Sequence, residues 1–350
     1  PEAKAAVQEF FAAAERWQRA VRAGASPEEQ EALRAAWQAR RAPAEQAIAQ
    51  TLAALAVREG LTASWLGKEI LLPPVSFLLS EPPQVLVVSP RDRIEVVRSV
   101  LLRPDLSLAE VEALEREVDR LGVVSLVVPI GGFASYPAMV PLHATPRDTL
   151  NAIAHEWVHN LLVFYPLGRA YFASYDSRTL NETVAELAGR ELGAMLAAAY
   201  GLPRRSSAAH EAAPAAGTFD FRQEMRATRL HLEQLLAAGQ LEEAERYLEE
   251  RRQAFVAAGY PLRKLNQAYF AFYGSYADSP AAVSPLDEQL RLLRAHSPSL
   301  GAFLRRVAQM TSSAEVEAAL RALGAWPPAP EPNADLPSQQ EVAAGGELVP

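Results

Sequence analysis

The residues with most to offer chemically are five in a row, His155-Glu156-Trp157-Val158-His159. On a helix, residues four apart share a face, so both imidazoles can point at one metal ion. Neutral imidazole is a common zinc ligand. Glu156 is one residue on, roughly 100° around the helix, where its carboxylate can reach a metal-held water without ligating the metal. The bland alternative is two helix histidines packed in a core or hydrogen-bonded at a surface. With only 6 His in the chain, such a motif arises by accident in roughly one such chain in a hundred.

A third ligand must come from elsewhere, and Glu182 in Asn181-Glu182-Thr183-Val184-Ala185-Glu186 is the best candidate. It is expected to begin a second helix running through Leu187, Leu192, Met195 and Leu196 to Gly201 and Pro203. Glu182 and Glu186 are four apart and share a face. One division of labour puts Glu182 on the metal and lets Glu186 accept the free ring N–H of His155, fixing its tautomer. The alternative is a pair of solvated helix acids.

These residues resemble the gluzincin zinc peptidases, which include thermolysin and aminopeptidase N. The pattern there is H-E-x-x-H followed by a Glu from a downstream helix, and here 22 residues separate His159 from Glu182. The resemblance covers about residues 130–200. It implies His155, His159 and Glu182 as ligands of one Zn2+ per chain and Glu156 as general base. Leu265-Asn266-Gln267-Ala268, leading to Tyr269, Tyr273 and Tyr276, is similar to a run in predicted bacterial aminopeptidases of this superfamily. In that register Tyr276 would hold the oxyanion. Its plainer reading is aromatic core packing. His231 is an alternative donor, although a lone His on a charged helix is more often solvated. Gly131-Gly132 stands where such enzymes have a strand edge that takes a peptide backbone, and it would let the substrate approach closely. The Gly-x-Met-Glu-Asn segment of the aminopeptidases is absent from 131–136, which speaks against aminopeptidase specificity.

The reading implied is a zinc metallopeptidase acting on a peptide or protein. A metal-activated water would attack the carbonyl, with Glu156 taking the proton and then returning it to the leaving amine. Its competitors are an inactive zinc-binding, regulatory or scaffold module of zincin fold, a metal-free helical scaffold, and a hydrolase of a non-peptide amide.

What must position these residues is a mostly α-helical α+β fold. By resemblance it has a zincin-like core, with a small mixed sheet before the active-site helix, an N-terminal helical hairpin and a C-terminal helical part. Thr145-Pro146-Arg147-Asp148 reads as the start of the metal helix: N-cap, Pro at the first position, an acid at the third. Leu150, Ile153, Ala154, Trp157, Val158, Leu161 and Leu162 then cover more than one face, so the helix is expected to be buried. Residues 1–72 read as a helical region, with helix over 2–23, a second from Pro27 that Pro43 breaks or kinks, and helix again to about Glu59. Residues 73–202 hold the β-like runs 75–79, 84–89, 94–102, 123–130 and 138–142, and the site helices. Ser107-Leu108-Ala109-Glu110 reads as a capping box. Residues 203–218 read as an exposed loop, 219–325 as helices at 219–238, 241–258, 261–277, 286–295, 299–310 and 313–323, and 326–350 as a disordered tail.

Composition bounds the rest. A net charge of −8 argues against nucleic acid as the main partner. No run of 18 apolar residues occurs, so no membrane span is expected. With no Cys, a metal site must use His and carboxylate. All but three of the 34 basic residues are Arg, which with abundant Ala and Pro points to a high-GC bacterial source, a thermophile among the candidates. The chain starts at Pro1, not Met, so removal of an N-terminal signal or anchor is entertained. An extracytoplasmic or membrane-anchored setting is slightly favoured over a cytoplasmic one.

Overall fold

A computed structural model of the protein describes residues 2–65, 67–203, 219–276, 279–282 and 284–326. The expected loop over 203–218, save Pro203, and the expected tail over 326–350, save Trp326, lie outside the described residues. The fold is α+β and mostly helical.

Three helices open the chain: α1 (Glu2–Arg22), α2 (Pro27–Gln38) and α3 (Arg41–Arg58). The Ser26 hydroxyl accepts from Glu29 N at 3.2 Å, and Pro27 takes the first helical position, where no amide hydrogen is needed. The break expected at Pro43 falls earlier, at Ala39 and Arg40. Pro43 lies in the first turn of α3, where its missing N–H costs no helical hydrogen bond. α3 ends beside the expected Glu59, and the remainder of the region to residue 72 holds a short antiparallel hairpin, β1 (Ala63–Trp65) and β2 (Lys68–Ile70). Strands of three residues are too short to show alternation in sequence.

In place of one mixed sheet before the metal helix, the described residues form two more sheets besides this hairpin. β3 (Phe77–Leu79) pairs in parallel with β7 (Ala138–Val140). β4 (Gln84–Pro90) is the centre of an antiparallel sheet flanked by β5 (Arg98–Leu102) and β6 (Val123–Pro129). The capping box forms as expected, with Glu110 N donating to the Ser107 hydroxyl and Ser107 N to the Glu110 carboxylate. It opens α4 (Leu108–Asp119), which covers one sheet face through Val111 against Leu86, Val88 and Val127. The other face, Val85, Val87, Leu126 and Val128, packs on Ala268. Covered on both sides, β4 has no alternation to display and reads as a continuous apolar run.

The remaining helices are α5 (Pro146–Leu162), α6 (Pro166–Arg169), α7 (Tyr175–Tyr200), α8 (Phe221–Ala237), α9 (Leu241–Ala257), α10 (Gln267–Tyr273), α11 (Leu286–Ala295), α12 (Leu300–Val307) and α13 (Ser313–Ala322). The helix expected over 261–277 shortens to α10 because the Asn266 side chain accepts from Tyr269 N at 3.0 Å and fixes the start there. The largest core cluster joins α1 and α3 to β3, β7 and α5–α7, and to α11–α13 from the far end of the chain. A second cluster belongs to α8, α9 and α10. Among the described residues no helix is long and apolar enough to cross a membrane.

Candidate metal centre

The centre is built where α5 crosses α7. Thr145 starts α5 as its sequence foretells: its hydroxyl accepts from Asp148 N at 3.2 Å and donates to the Asp148 carboxylate at 2.7 Å. α7 starts at Ser174, whose hydroxyl accepts from Ser177 N at 3.0 Å. Glu182 therefore lies two turns inside this helix and not at its beginning. Two glycines let the helices close on each other. A Cβ on Gly189 would stand 2.9 Å from His155 Cβ, and one on Gly193 would stand 2.8 Å from Asn151 Cα. Both distances are too short for any side chain, so the α5 backbone comes within reach of short polar groups on α7.

That approach brings His155, His159 and Glu182 together, and these three could hold a metal ion. Glu182 Oε2 lies 3.4 Å from His159 Nε2 and 3.6 Å from His155 Nε2, and the two Nε2 atoms are 2.9 Å apart. Each ring's outer nitrogen faces an oxygen. His159 Nδ1 lies 2.8 Å from Asn181 Oδ1, and Asn181 is held in that orientation by donating its own Nδ2 to Leu167 O at 3.3 Å. His155 Nδ1 faces Glu186 Oε2 at 3.3 Å, within ion-pair range but not aligned as a hydrogen bond. An amide oxygen is an acceptor, so His159 Nδ1 carries hydrogen, and the nearby Glu186 carboxylate favours hydrogen on His155 Nδ1 as well. In the neutral rings both Nε2 lone pairs then face each other, and a cation or a proton is needed between them. Glu182 Oε2 is itself buried with no hydrogen-bond donor, which is costly for a carboxylate unless a cation serves it.

The electrostatics agree. Burial would raise the Glu182 pKa, but the two imidazoles outweigh it and hold the carboxyl well below its ordinary range. Burial opposes a charged His155, yet Glu182 and Glu186 hold this imidazole well above its usual value. Glu186 is half-buried, which would raise its pKa, but pairing with His155 and the Arg190 bond bring it down to about 2. Glu186 lies behind His155 at ion-pair distance, without the aligned hydrogen bond expected of it.

Glu156 is buried at 6 % exposure and takes no part in the three-residue cluster. Burial pushes its carboxyl up; His155 and His159 oppose, and Glu182 adds to the rise. Gly132 lies directly against it: a Cβ there would be 2.2 Å from Glu156 Oε1. Gly131 is beside His143, whose Nε2 is 2.9 Å from Gly131 O, and a Cβ on Gly131 would meet only ordinary contact at 3.7 Å. Of the two glycines, only Gly132 is required by space. The charges of the site reach Tyr276. Its phenol is pushed well above its ordinary range by burial and then by Glu182, Tyr171, Glu156 and Glu186. Tyr269 and Tyr273 pack against each other and the aromatic cluster under α10. His231 is exposed beside Gln234 and Tyr247, in line with a solvated histidine.

Sequence reasoning missed Tyr171, which donates its hydroxyl to Glu182 Oε1 and leaves Oε2 as the free oxygen. Its ring is edge-on to His159, with centroids 6.1 Å apart. Nothing local marks it. The role of Asn181 was missed too, although its place directly before Glu182 was a usable signal. No protein-family model matches this chain, and neither a curated protein nor a solved structure matches it.

Proposed function

We propose that the protein is a zinc-dependent metallopeptidase of gluzincin type, with a zincin-like core and one zinc per chain held by His155, His159 and Glu182. Its substrate is a peptide or protein. The observation that carries this reading is the convergence of two imidazole lone pairs and an unpartnered buried carboxylate oxygen, with a second buried carboxylate, Glu156, beside them. Bound zinc would supply Lewis acidity and a water acidified towards neutrality.

The chain's own groups divide the remaining work. Glu156, with its affinity for a proton raised by burial, accepts a proton at its carboxylate and returns it to the departing amine. Tyr276 keeps its phenolic proton and donates to the oxygen that becomes negative. Tyr171 spends its proton on Glu182 and is less suited to that task. Gly132 leaves room for the Glu156 carboxyl.

Elemental analysis of the purified protein beside the His155→Ala variant tests the metal. About one zinc per chain, absent from the variant, is expected. The enzyme is tested by Glu156→Gln on a broad peptide library: metal retained, turnover nearly lost. Near-normal turnover would remove Glu156 as base. The deep burial of Glu156 favours one competing reading, a zinc-binding regulatory or scaffold module without activity. Stoichiometric zinc with no cleavage of any library peptide would select it.

A further inference from the structure

We propose that a groove on the N-terminal side of the molecule, between α1, α2 and the end of β3, binds a small organic carboxylate with a flat apolar body. This site is independent of the metal centre. The groove encloses about 700 Å3, inside the ordinary span of small-molecule sites of roughly 300–1,000 Å3. Trp17, Val21, Trp37 and Leu142 give it apolar walls, and Arg22, Arg34 and Arg41 stand around them against one acid, Glu81. In a chain of net charge −8 this local excess of guanidinium runs against the average.

The arginines are unequally engaged. Arg41 Nη1 donates to Leu79 O at 3.3 Å, and its Nε is 3.6 Å from Glu45. Arg34 faces only exposed Glu31 at 3.6 Å. Arg22, in the last turn of α1, has no hydrogen bond or ion pair among the described residues. Two further groove residues keep an unsatisfied polar atom: Trp37 Nε1 and Ser80 Oγ are both buried without a partner. Those two atoms are closed off from solvent, so what the groove offers a ligand is chiefly the exposed guanidinium donors of Arg22 and Arg34, and the complement of donors is an anion rich in acceptors. Guanidinium forks fit a carboxylate in particular.

The backbone beside the groove is already used. Leu79 N donates to Glu45 Oε1 at 2.7 Å, Leu79 O accepts from Arg41, and Ser80 N donates to Val140 O at 2.9 Å. A peptide cannot add here as a strand. Recognition falls to side chains: arginine for the charge, and for a flat apolar face the half-buried indole of Trp17, which itself packs on the buried indole of Trp37 with centroids 5.8 Å apart.

The test titrates the full chain with para-fluorophenylacetate, read by fluorine NMR and by tryptophan emission, with para-fluorophenylacetamide as the uncharged control. Saturable binding is expected for the acid, at least ~10-fold tighter than for the amide. The double variant Arg22→Gln, Arg34→Gln should weaken it by about 10-fold, and His155→Ala should leave it unchanged. Both arginines are exposed, so the double variant should melt with the parent. The proposal is overturned by absence of saturable binding or by equal binding of acid and amide. Binding that survives the double variant but is lost in His155→Ala also overturns it, because the carboxylate would then sit at the metal centre.

Discussion

Two helix pairs in this protein bury charge, and they do it in opposite ways. On α8, next to α9, Arg229 is almost fully buried, yet its donors are met: Nε by Glu233 at 2.6 Å, Nη1 by Phe270 O at 3.2 Å and Ala281 O at 3.3 Å. On α7, next to α5, Glu182 is as deeply buried, but only Oε1 has a donor, from Tyr171. Its Oε2 has none and faces two ring nitrogens. A charge kept for structure is closed by partners from within. A charge left one partner short, among groups that share the same lack, is set for something the chain does not supply.

The sharpest way to break this comparison is to neutralise each buried charge and read metal affinity and stability together. Glu182→Gln keeps the volume and removes the ligand charge. Zinc affinity should fall by more than ~100-fold, exceeding the loss usual when only a group behind a ligand is changed. Arg229→Gln should leave zinc affinity intact and cost roughly 2–4 kcal/mol of folding stability, because carbonyls of Phe270 and Ala281 lose their donor. Titration with a zinc-competing chelator and chemical unfolding give the two readouts. Unaltered zinc affinity in Glu182→Gln would move the third ligand to Glu186 and undo the contrast.

The next largest effect lies in how closely the helices approach. Gly193→Val would set a branched side chain against the α5 backbone at Asn151, already only 2.8 Å from a Cβ. A loss of about 1–3 kcal/mol is expected. In the α8–α9 pair the facing residues are Leu232, Ala244 and Leu248, which pack conventionally without such an approach. A neutral Gly193→Val would mean that α5 and α7 can separate and still fold.

A smaller effect belongs to Asn181, which in the proposed site would orient His159 without touching the metal. Asn181→Ala removes the acceptor at His159 Nδ1. Zinc affinity should fall by about 10-fold, at the low end for a group behind a ligand. Competition with the same chelator checks it. An unchanged affinity would mean that the ring is held by packing alone.

How much of this could be read in the chain follows from what is local. His155 and His159 share a face because of helical spacing, and the starts at Thr145, Ser107 and Ser26 lie within three residues of the groups they bond. The position of Glu182 was legible, but not the earlier start of α7, since Ser174 and Ser177 make a weaker cap signal than Ser with Glu. Tyr171 was not legible at all, because only the turn from α6 into α7 folds its hydroxyl back on Glu182. Nor was the shared core, in which α1 and α3 pack with α11–α13. Contacts between the two ends of a chain leave no periodicity in either one. Gly189 and Gly193 were visible as a four-residue spacing, yet their use appears only when the partner helix is in place.

The smallest predicted effect returns to the charged helix pair. Glu224 Oε2 accepts from Arg251 Nη2 at 2.5 Å across α8 and α9, and Arg251 Nε also donates to buried Thr228 at 3.0 Å. Glu224→Gln keeps the shape and lets the arginine hold its Thr228 bond and its place over the Phe255 ring. The pair is partly open to water, with side-chain exposures of 22 % for Arg251 and 37 % for Glu224. Its loss should cost no more than ~1 kcal/mol at low ionic strength, shrinking as salt is raised. Urea unfolding at two salt concentrations measures this. A loss several times larger, insensitive to salt, would mean that α8–α9 depends on a closed charge as Arg229 does. The division between open and closed charge would then separate single residues and not the two helix pairs.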